Sequence, residues 1–472
     1  MSRLILLIIF VLTTCNFSNQ QAVAECPFTQ AEGIECGSIV VPANYKSATD
    51  NDQITLQYYY IHSTSEIKSN YPLVFLQGGP GGSATDMVEL FRNSPYRNDF
   101  DIVLIDQRGT GLSEAFCPEI GSEYFKVLAE DLTSQQESDK VIELARACRT
   151  ELENKDYNYL NYSTSNTVDD LERLREHLNI DKLNLIGGSY GTKVALKYIE
   201  KYPESTNKVV LQGIFPPEVN LYDNVISNYH QAIRNVFKLC EQDEKCKSRY
   251  PDLSEQYYST IKRLRNEPLR LDYQGSEFVI NAQDFILITH LMLYQRSTVQ
   301  ILPYTISQFN NNEYVDLENV LRSVESVFNI INLPVYWSVM SQEEFSGTEK
   351  SKLLSDLEKN EELYPGHAFF LSDPEVLEFW ANGNSINNDE KPVESEVPVL
   401  LVNGGYDPIT SVENMKLAEK GLTNSIGVAF NFEGHSIFTQ CFYDLALQFL
   451  NSETSASLNT SCAKVKPTFD WR

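Results

Sequence analysis

Basic residues are scarce in this sequence of 472 residues. It contains 38 Lys and Arg against 65 Asp and Glu, which gives a formal net charge of −27 at pH 7. The largest basic clusters are the short stretches IKRLR and RLREH, which lie on predicted helices. Nucleic acids and anionic membrane surfaces are bound through concentrated positive charge. The composition therefore argues against both kinds of partner.

Other missing patterns exclude further kinds of site. No two cysteines have the CxxC spacing, which argues against a zinc site or a thioredoxin-like redox centre. Neither GxxxxGK[ST] nor GxGxxG occurs, so the signatures of nucleotide-binding loops are missing. We expect neither a metal nor an organic cofactor. After the first 24 residues no apolar run is long enough to cross a bilayer, so we expect no integral membrane association.

The first 24 residues have the features of a secretory signal peptide. One Arg precedes an apolar run over residues 4–12, and AVA precedes Glu25. A lipid anchor at Cys15 is an alternative, but Thr14 is bulkier than the small residue that usually precedes such a cysteine. We expect cleavage after Ala24 and export to the periplasm or the exterior.

Cysteine usage agrees with export. Without Cys15, an even number of cysteines remains, at close sequential spacings that are typical of disulfides in an oxidising compartment. They are Cys26, Cys36, Cys117, Cys148, Cys240, Cys246, Cys441 and Cys462.

Two kinds of strand pattern indicate an α/β fold. Alternating residues in GSIVVPANY and QITLQYYYIHS predict an antiparallel pair. Continuous apolar runs that end in polar residues or glycine predict parallel strands buried on both faces: YPLVFLQ, FDIVLIDQ, KLNLIGG, NKVVLQG and VPVLLVNGG. Helical patterns, TVDDLERLREHLNI and GTKVALKYIEKYP, separate several of these runs. The alternation predicts a doubly wound, mostly parallel sheet.

The strand pattern is interrupted between the fourth and fifth parallel runs. Residues 214–395 consist mainly of amphipathic helical stretches such as YHQAIRNVFKLC and VDLENVLRSVESVFNII. We interpret them as an inserted helical cap. The predicted organisation is therefore a core formed by residues 25–213 and 396–472, with the cap between its parts.

Candidate catalytic residues lie at the ends of the predicted strands. Ser189 stands in GGSYG between a strand and a helix, which fits the G-x-S-x-G turn that exposes a nucleophile. Such a serine needs a base and an orienting acid, which follow it in the order acid, then His. Asp407 follows the strand VPVLLVNGG, and His435 lies in VAFNFEGHSIF after the next one. Each residue also has a purely structural alternative: Ser189 could lie in an ordinary glycine-rich turn, Asp407 could form an Asp-Pro turn, and His435 could be a structural histidine.

Several of these segments together resemble a known enzyme family. LVFLQGGPGGS, DIVLIDQRGTGLS, NLIGGSYGTKVALKYIEKYPE, VVLQGIFPP, LLVNGGYDPIT and EGHS are similar to exported α/β-hydrolase peptidases of the proline iminopeptidase and tripeptidyl aminopeptidase family. The resemblance spans nearly all the chain outside the cap. It implies an α/β-hydrolase fold, a Ser189, Asp407 and His435 triad, and an oxyanion hole formed by Gly79 and Tyr190.

The cap resembles the family over a shorter stretch. YWSVMSQEE is similar to a segment that ends in Cys-x-Glu-Asp, whose glutamate lies near the free amino end of the substrate. This correspondence implies that Glu343 binds substrate, although Ser341 stands where the family has cysteine. The alternative is that Glu343 is an ordinary solvated acid, since most glutamates are exposed.

The expected function is an exported serine exopeptidase that releases residues from the free N-terminus of peptides through an acyl-enzyme. An esterase or lipase with the same triad is the nearest alternative, because a fold does not determine the substrate. A non-catalytic binding protein is a further alternative. The oligomeric state, the number of residues released and any preference for proline do not follow from the sequence.

The cysteine spacing yields a testable disulfide pattern. Each pair should close a short loop: Cys26–Cys36, Cys117–Cys148, Cys240–Cys246 and Cys441–Cys462. The family resemblance implies the last pair as well. Peptide mass mapping of the non-reduced, mature protein should recover these four cross-linked pairs, and free thiols at two or more positions would contradict the pattern.

Overall fold

The computed structural model describes residues 26–46, 52–345, 348–363, 373–384, 390–452 and 458–472. The expected signal peptide and Cys15 lie outside the described residues.

An eight-stranded sheet forms the centre of the molecule, in the order β1-β2-β4-β3-β5-β6-β9-β10. The strands β1 and β2 pair antiparallel, β2 pairs antiparallel with β4, and the other neighbours are parallel. A separate antiparallel hairpin contains β7 and β8. The strand bounds are β1 Ile34–Pro42, β2 Gln53–Ile61, β3 Leu73–Leu76, β4 Ile102–Ile105, β5 Leu183–Gly188, β6 Thr206–Gln212, β7 Leu269–Tyr273, β8 Ser276–Ile280, β9 Val399–Gly404 and β10 Ser425–Phe430.

Helices connect most of the sheet strands, and one helix follows the last strand. Before β6 they are α1 Val88–Arg92, α2 Ile120–Leu128, α3 Ser134–Asn154, α4 Thr164–His177 and α5 Tyr190–Lys201. Between β6 and β9 they are α6 Val225–Glu241, α7 Glu244–Arg249, α8 Leu253–Leu264, α9 Ala282–Met292, α10 Arg296–Val299, α11 Leu302–Asn311, α12 Leu317–Ile330, α13 Leu333–Glu343, α14 Glu349–Glu358 and α15 Pro374–Ala381. Two more are α16 Val412–Ala418 and α17 Gln440–Asn451.

Each face of the sheet belongs to a different apolar cluster. In β3, Val74 and Leu76 join the cluster that also contains α5 and the helices between β6 and β9. Leu73 and Phe75 join the cluster that contains α17. Because successive side chains of a strand point to opposite faces, burial of all four explains the continuous apolar run. The doubly wound α/β fold expected from the sequence is confirmed.

The segment between β6 and β9 is largely helical, with one addition that the pattern did not predict. The hairpin of β7 and β8 has partly exposed residues and therefore lacks a buried-strand pattern. The helix α4 also begins before the predicted helical stretch TVDDLERLREHLNI, because Ser163 caps it by accepting a hydrogen bond from the Asn166 amide. The domain boundaries at 213/214 and 395/396 stay a prediction.

The structure contains all four disulfides that the spacing predicts. Cys117–Cys148 ties the loop after β4 to α3, and Cys441–Cys462 ties α17 to the C-terminal segment. Among the described helices, none has both the length and the apolar character needed to cross a membrane.

A buried carboxylate gives the fold a testable pH dependence. Burial, and to a lesser extent the charge of Asp373, raises the pKa of Glu137 to about 8, against an ordinary value of 4.5. The folded state therefore holds this proton more tightly than the unfolded state. The contribution of protonated Glu137 to the free energy of unfolding is complete below the pKa that this carboxyl has in the unfolded state, and it is lost as pH rises toward about 8.

We expect Glu137→Gln to weaken the fall in stability between about pH 5 and about pH 7. The wild-type protein should lose roughly 2 kcal/mol more free energy of unfolding than the variant over this interval. Denaturant unfolding at both pH values measures the difference. Glu151→Gln is the control, because Glu151 lies on the same helix and pairs with Lys155 at the surface. Equal pH dependence of wild type and Glu137→Gln would contradict the prediction.

Candidate active site

The candidate nucleophile Ser189 lies on a sharp turn between β5 and α5. Its backbone φ is 53°, in a region that residues with side chains rarely adopt. A Cβ at Gly191 would lie 2.0 Å from the Leu76 carbonyl oxygen, so only glycine fits there. The Ser189 amide donates to the Gln212 carbonyl 2.9 Å away, which ties the turn to the end of β6. These contacts hold Ser189 at the carboxyl edge of the sheet.

The candidate acid and base meet at the same edge. Asp407 follows β9, and His435 follows β10. His435 Nδ1 lies 2.8 Å from Asp407 Oδ2, and both residues are buried. An imidazole bound in this way keeps one tautomer, which leaves Nε2 as the nitrogen that can accept a proton.

Thr410, which is not among the predicted site residues, contacts both members of this pair. Its hydroxyl donates to Asp407 Oδ2 at 2.7 Å and lies 3.1 Å from His435 Nδ1. Its amide donates to Asp407 Oδ1 at 2.8 Å. The spacing in DPIT could have indicated this contact, because Asp side chains commonly accept from amides that follow closely in the chain.

Gly213 and Tyr294 also contact the imidazole and were not predicted. The backbone φ of Gly213 is +65°, and a Cβ there would lie 2.9 Å from His435 Cε1. The Tyr294 ring centroid lies 4.9 Å from that of His435. The strand-end glycine in NKVVLQG was a usable signal for Gly213, whereas nothing in the sequence around Tyr294 indicated its position.

A cavity of about 360 Å³ opens beside these residues. Ser189 and His435 both line it, together with the expected oxyanion-hole residues Gly79 and Tyr190. Among the lining residues in the described part of the chain, none is Asp, Glu, Lys or Arg. The lining is mainly apolar and includes Phe75, Met87, Phe91, Phe215, Leu221, Ile331, Tyr336, Met340, Phe438 and Phe442.

The loop that contains Gly79 lies directly against the nucleophile. A Cβ at Gly78 would lie 2.8 Å from Ser189 Cβ, so the two backbone segments are in close contact. Gly79 has φ of 116° and is joined to Pro80 by a cis peptide bond. The Gly81 carbonyl accepts from the Asn332 amide at 2.9 Å, which connects the loop to the start of α13.

Glu343 does not line the cavity. Its carboxylate accepts from the Thr164 amide and from the Thr164 hydroxyl, both at 2.7 Å. Lys193 Nζ lies 3.4 Å from it. Binding of a substrate amine by Glu343 stays a prediction, and it would require the carboxylate to leave Thr164.

A second histidine lies close to the candidate triad. Burial, and to a lesser extent the charge of His435, lowers the pKa of His290 to about 3. His290 is therefore neutral near pH 7. It is not among the described residues that line the cavity, which leaves His435 as the histidine that shares the cavity with Ser189. In the described ranges, no group of three or more His, Cys, Asp or Glu is placed to hold a metal ion.

Comparison with known proteins identifies the family. A model of the α/β-hydrolase fold matches residues 71–440, which is most of the chain. The chain belongs to the α/β-hydrolase fold family.

Relatives of this α/β-hydrolase differ in how much of it they match. A putative hydrolase of Escherichia coli K12, YuaR, is 24% identical over 85% of this chain and 82% of its own length. A proline iminopeptidase of Arabidopsis thaliana is 28% identical over 44% of this chain and 42% of its own. The serine protease Hip1 of Mycobacterium bovis is 26% identical over 50% and 45%. The matched region therefore spans less than half of these two peptidases.

Gly213 provides a test of the site geometry. We expect Gly213→Ala to lower kcat by roughly tenfold or more, because the added methyl group would displace His435 from its position. Steady-state kinetics with any hydrolysed substrate measures the effect. Gly275→Ala is the control, since Gly275 also has positive φ, but a Cβ there would have no neighbour within 4 Å. An equal loss in both variants would show that backbone strain alone is responsible.

Proposed function

We propose that this α/β-hydrolase is a serine exopeptidase that releases residues from the free amino end of peptides through an acyl-enzyme. The observation that carries the catalytic part is the placement of Ser189 and His435 on one cavity, with His435 bound to Asp407. A strained serine turn beside a histidine and carboxylate pair is the arrangement that nucleophilic acyl transfer requires.

The proposed reaction proceeds in two acyl-transfer steps. Ser189 Oγ attacks the scissile carbonyl carbon while His435 Nε2 accepts the hydroxyl proton. Asp407 accepts a hydrogen bond from Nδ1–H and stabilises the imidazolium. Collapse of the tetrahedral intermediate breaks the C–N bond, and His435 gives its proton to the leaving amine. Water then hydrolyses the ester, with His435 again acting as the base.

Charge stabilisation would come from backbone amides. The tetrahedral intermediate has a negative oxygen, which the N–H groups of Gly79 and Tyr190 would bind. Both residues line the cavity, and the Gly78 contact with Ser189 supports this assignment.

Partial similarities support a peptide substrate. The chain is similar to a proline iminopeptidase over 44% of its length and to the serine protease Hip1 over 50%. The apolar lining favours substrates with apolar side chains, because an unpaired charge buried there would be costly.

A second candidate function is hydrolysis of apolar esters. The observation that favours it is the lack of a carboxylate among the described lining residues. A substrate ammonium would need such a partner when desolvated, whereas an apolar acyl chain would not.

Substrate comparison tests the proposal. We expect free apolar peptides to be cleaved faster than their N-acetylated forms, by roughly ten- to hundredfold in kcat/KM, because the ammonium would donate a charge-assisted hydrogen bond to an uncharged oxygen acceptor in the cavity. Ser189→Ala should lower turnover of every substrate by at least about a thousandfold. Product masses and steady-state rates provide the measurement.

Two outcomes separate the candidates. Equal cleavage of free and acetylated peptides would contradict the exopeptidase proposal. Turnover of butyrate and hexanoate esters without peptide cleavage would favour the esterase. Circular dichroism of Ser189→Ala controls for folding, and a serine-reactive phosphonate should label the wild-type protein but not this variant.

A further inference from the structure

A chain of hydrogen bonds connects Glu343 to the residue after the nucleophile. Glu343 accepts from the Thr164 hydroxyl at 2.7 Å, and the same hydroxyl oxygen lies 2.7 Å from the Tyr190 hydroxyl. Thr164 is the first residue of α4, and Tyr190 is the first residue of α5. The chain therefore joins the end of α13 to the turn that carries Ser189.

The chemistry of the three groups fixes the direction of these bonds. An ionised carboxylate only accepts, so the Thr164 hydroxyl must give its single proton to Glu343. Its oxygen is then the acceptor for the Tyr190 hydroxyl. The carboxylate thus determines that Tyr190 donates toward α4, which holds the buried phenol ring in one position.

A lysine behind the cavity wall supports the ionised carboxylate. Lys193 lies in the first turn of α5, which follows Ser189, and its side chain is 1% exposed. Its Nζ is 2.7 Å from the Glu344 carboxylate and 3.4 Å from that of Glu343. Burial acts to lower the pKa of Lys193, but the carboxylates of Glu344 and Glu343 outweigh it and raise the pKa. The lysine therefore stays charged beside Glu343.

We infer that Glu343 is a positioning residue for the oxyanion hole, which acts through Thr164 on Tyr190. By holding the Tyr190 side chain, it fixes the direction of the Tyr190 N–H that is proposed to bind the developing oxyanion. The inference rests on the proposed acyl-enzyme chemistry, but it does not depend on whether the substrate is a peptide or an ester. It also differs from binding of the substrate amine by Glu343.

Removal of single hydroxyl groups tests the chain of bonds. Thr164→Val and Tyr190→Phe should each lower kcat by roughly three- to thirtyfold and leave KM within about twofold, because the lost alignment acts mainly in the transition state. Thr164→Ser should restore most of the activity, since serine keeps the hydroxyl. Hydrolysis of p-nitrophenyl butyrate and the rate of labelling by a fluorophosphonate provide readouts that need no peptide substrate.

Tyr198→Phe is the matched control. Tyr198 is also buried on α5, and its hydroxyl donates to Glu172 at 2.7 Å, away from the cavity. This variant should lose a buried phenol hydrogen bond on the same helix without a change in kcat. Thermal unfolding of all variants separates a loss of stability from a loss of alignment.

Glu343→Gln distinguishes positioning from amine binding. A glutamine amide would donate to the Thr164 oxygen and reverse the direction of the hydrogen bonds that connect it to Tyr190. We therefore expect kcat to fall for free and acetylated substrates alike. A narrower difference between free and acetylated peptides in this variant would overturn the inference in favour of amine binding. Normal kcat in both Thr164→Val and Tyr190→Phe would overturn it as well. Failure of the proposed function would appear separately, as activity that persists in Ser189→Ala.

Discussion

The close approach of three backbone segments around Ser189 is the constraint on which the site depends. The turn itself, the Gly78 loop after β3 and the end of β6 meet with contacts that leave no room for side chains at Gly78 and Gly191. Parallel pairing of β3, β5 and β6 brings their carboxyl ends to one edge. The unfavourable φ of Ser189 persists because this surrounding structure determines it.

Polar groups are divided between the cavity and the layer behind it. The described lining has no Asp, Glu, Lys or Arg, whereas Lys193 and Glu344 lie buried behind it and Glu343, 11% exposed, lies beside Lys193. The Lys193 ammonium lies 5.2 Å from the ring centroid of Phe215, which does line the cavity. In a low-dielectric surrounding, such fixed charges and their hydrogen bonds are held in place and need little reorganisation. The apolar wall and the charged layer together can hold backbone donors rigid without exposing charge to the substrate.

Much of the fold followed from local pattern. Continuous apolar runs indicated the parallel strands, because burial on both faces removes alternation. The hairpin of β7 and β8 has no buried-strand pattern because its residues are partly exposed, and α4 begins at Thr164 with Ser163 as its N-cap, before the stretch TVDD. The spacing of the cysteines indicated four disulfides, because each bridge closes a short loop.

The sequence by itself determined which side chains could perform the chemistry: a serine on a glycine turn, and an acid and a histidine after later strands. Sequence motifs indicate such residues because the turn and the strand ends are formed by residues that are adjacent in the sequence. Only the tertiary structure decided that Thr410 and Tyr294 contact His435, that the cavity is apolar, and that Glu343 binds Thr164. These contacts join residues from separate elements, and their geometry depends on how helices pack, which no local pattern encodes.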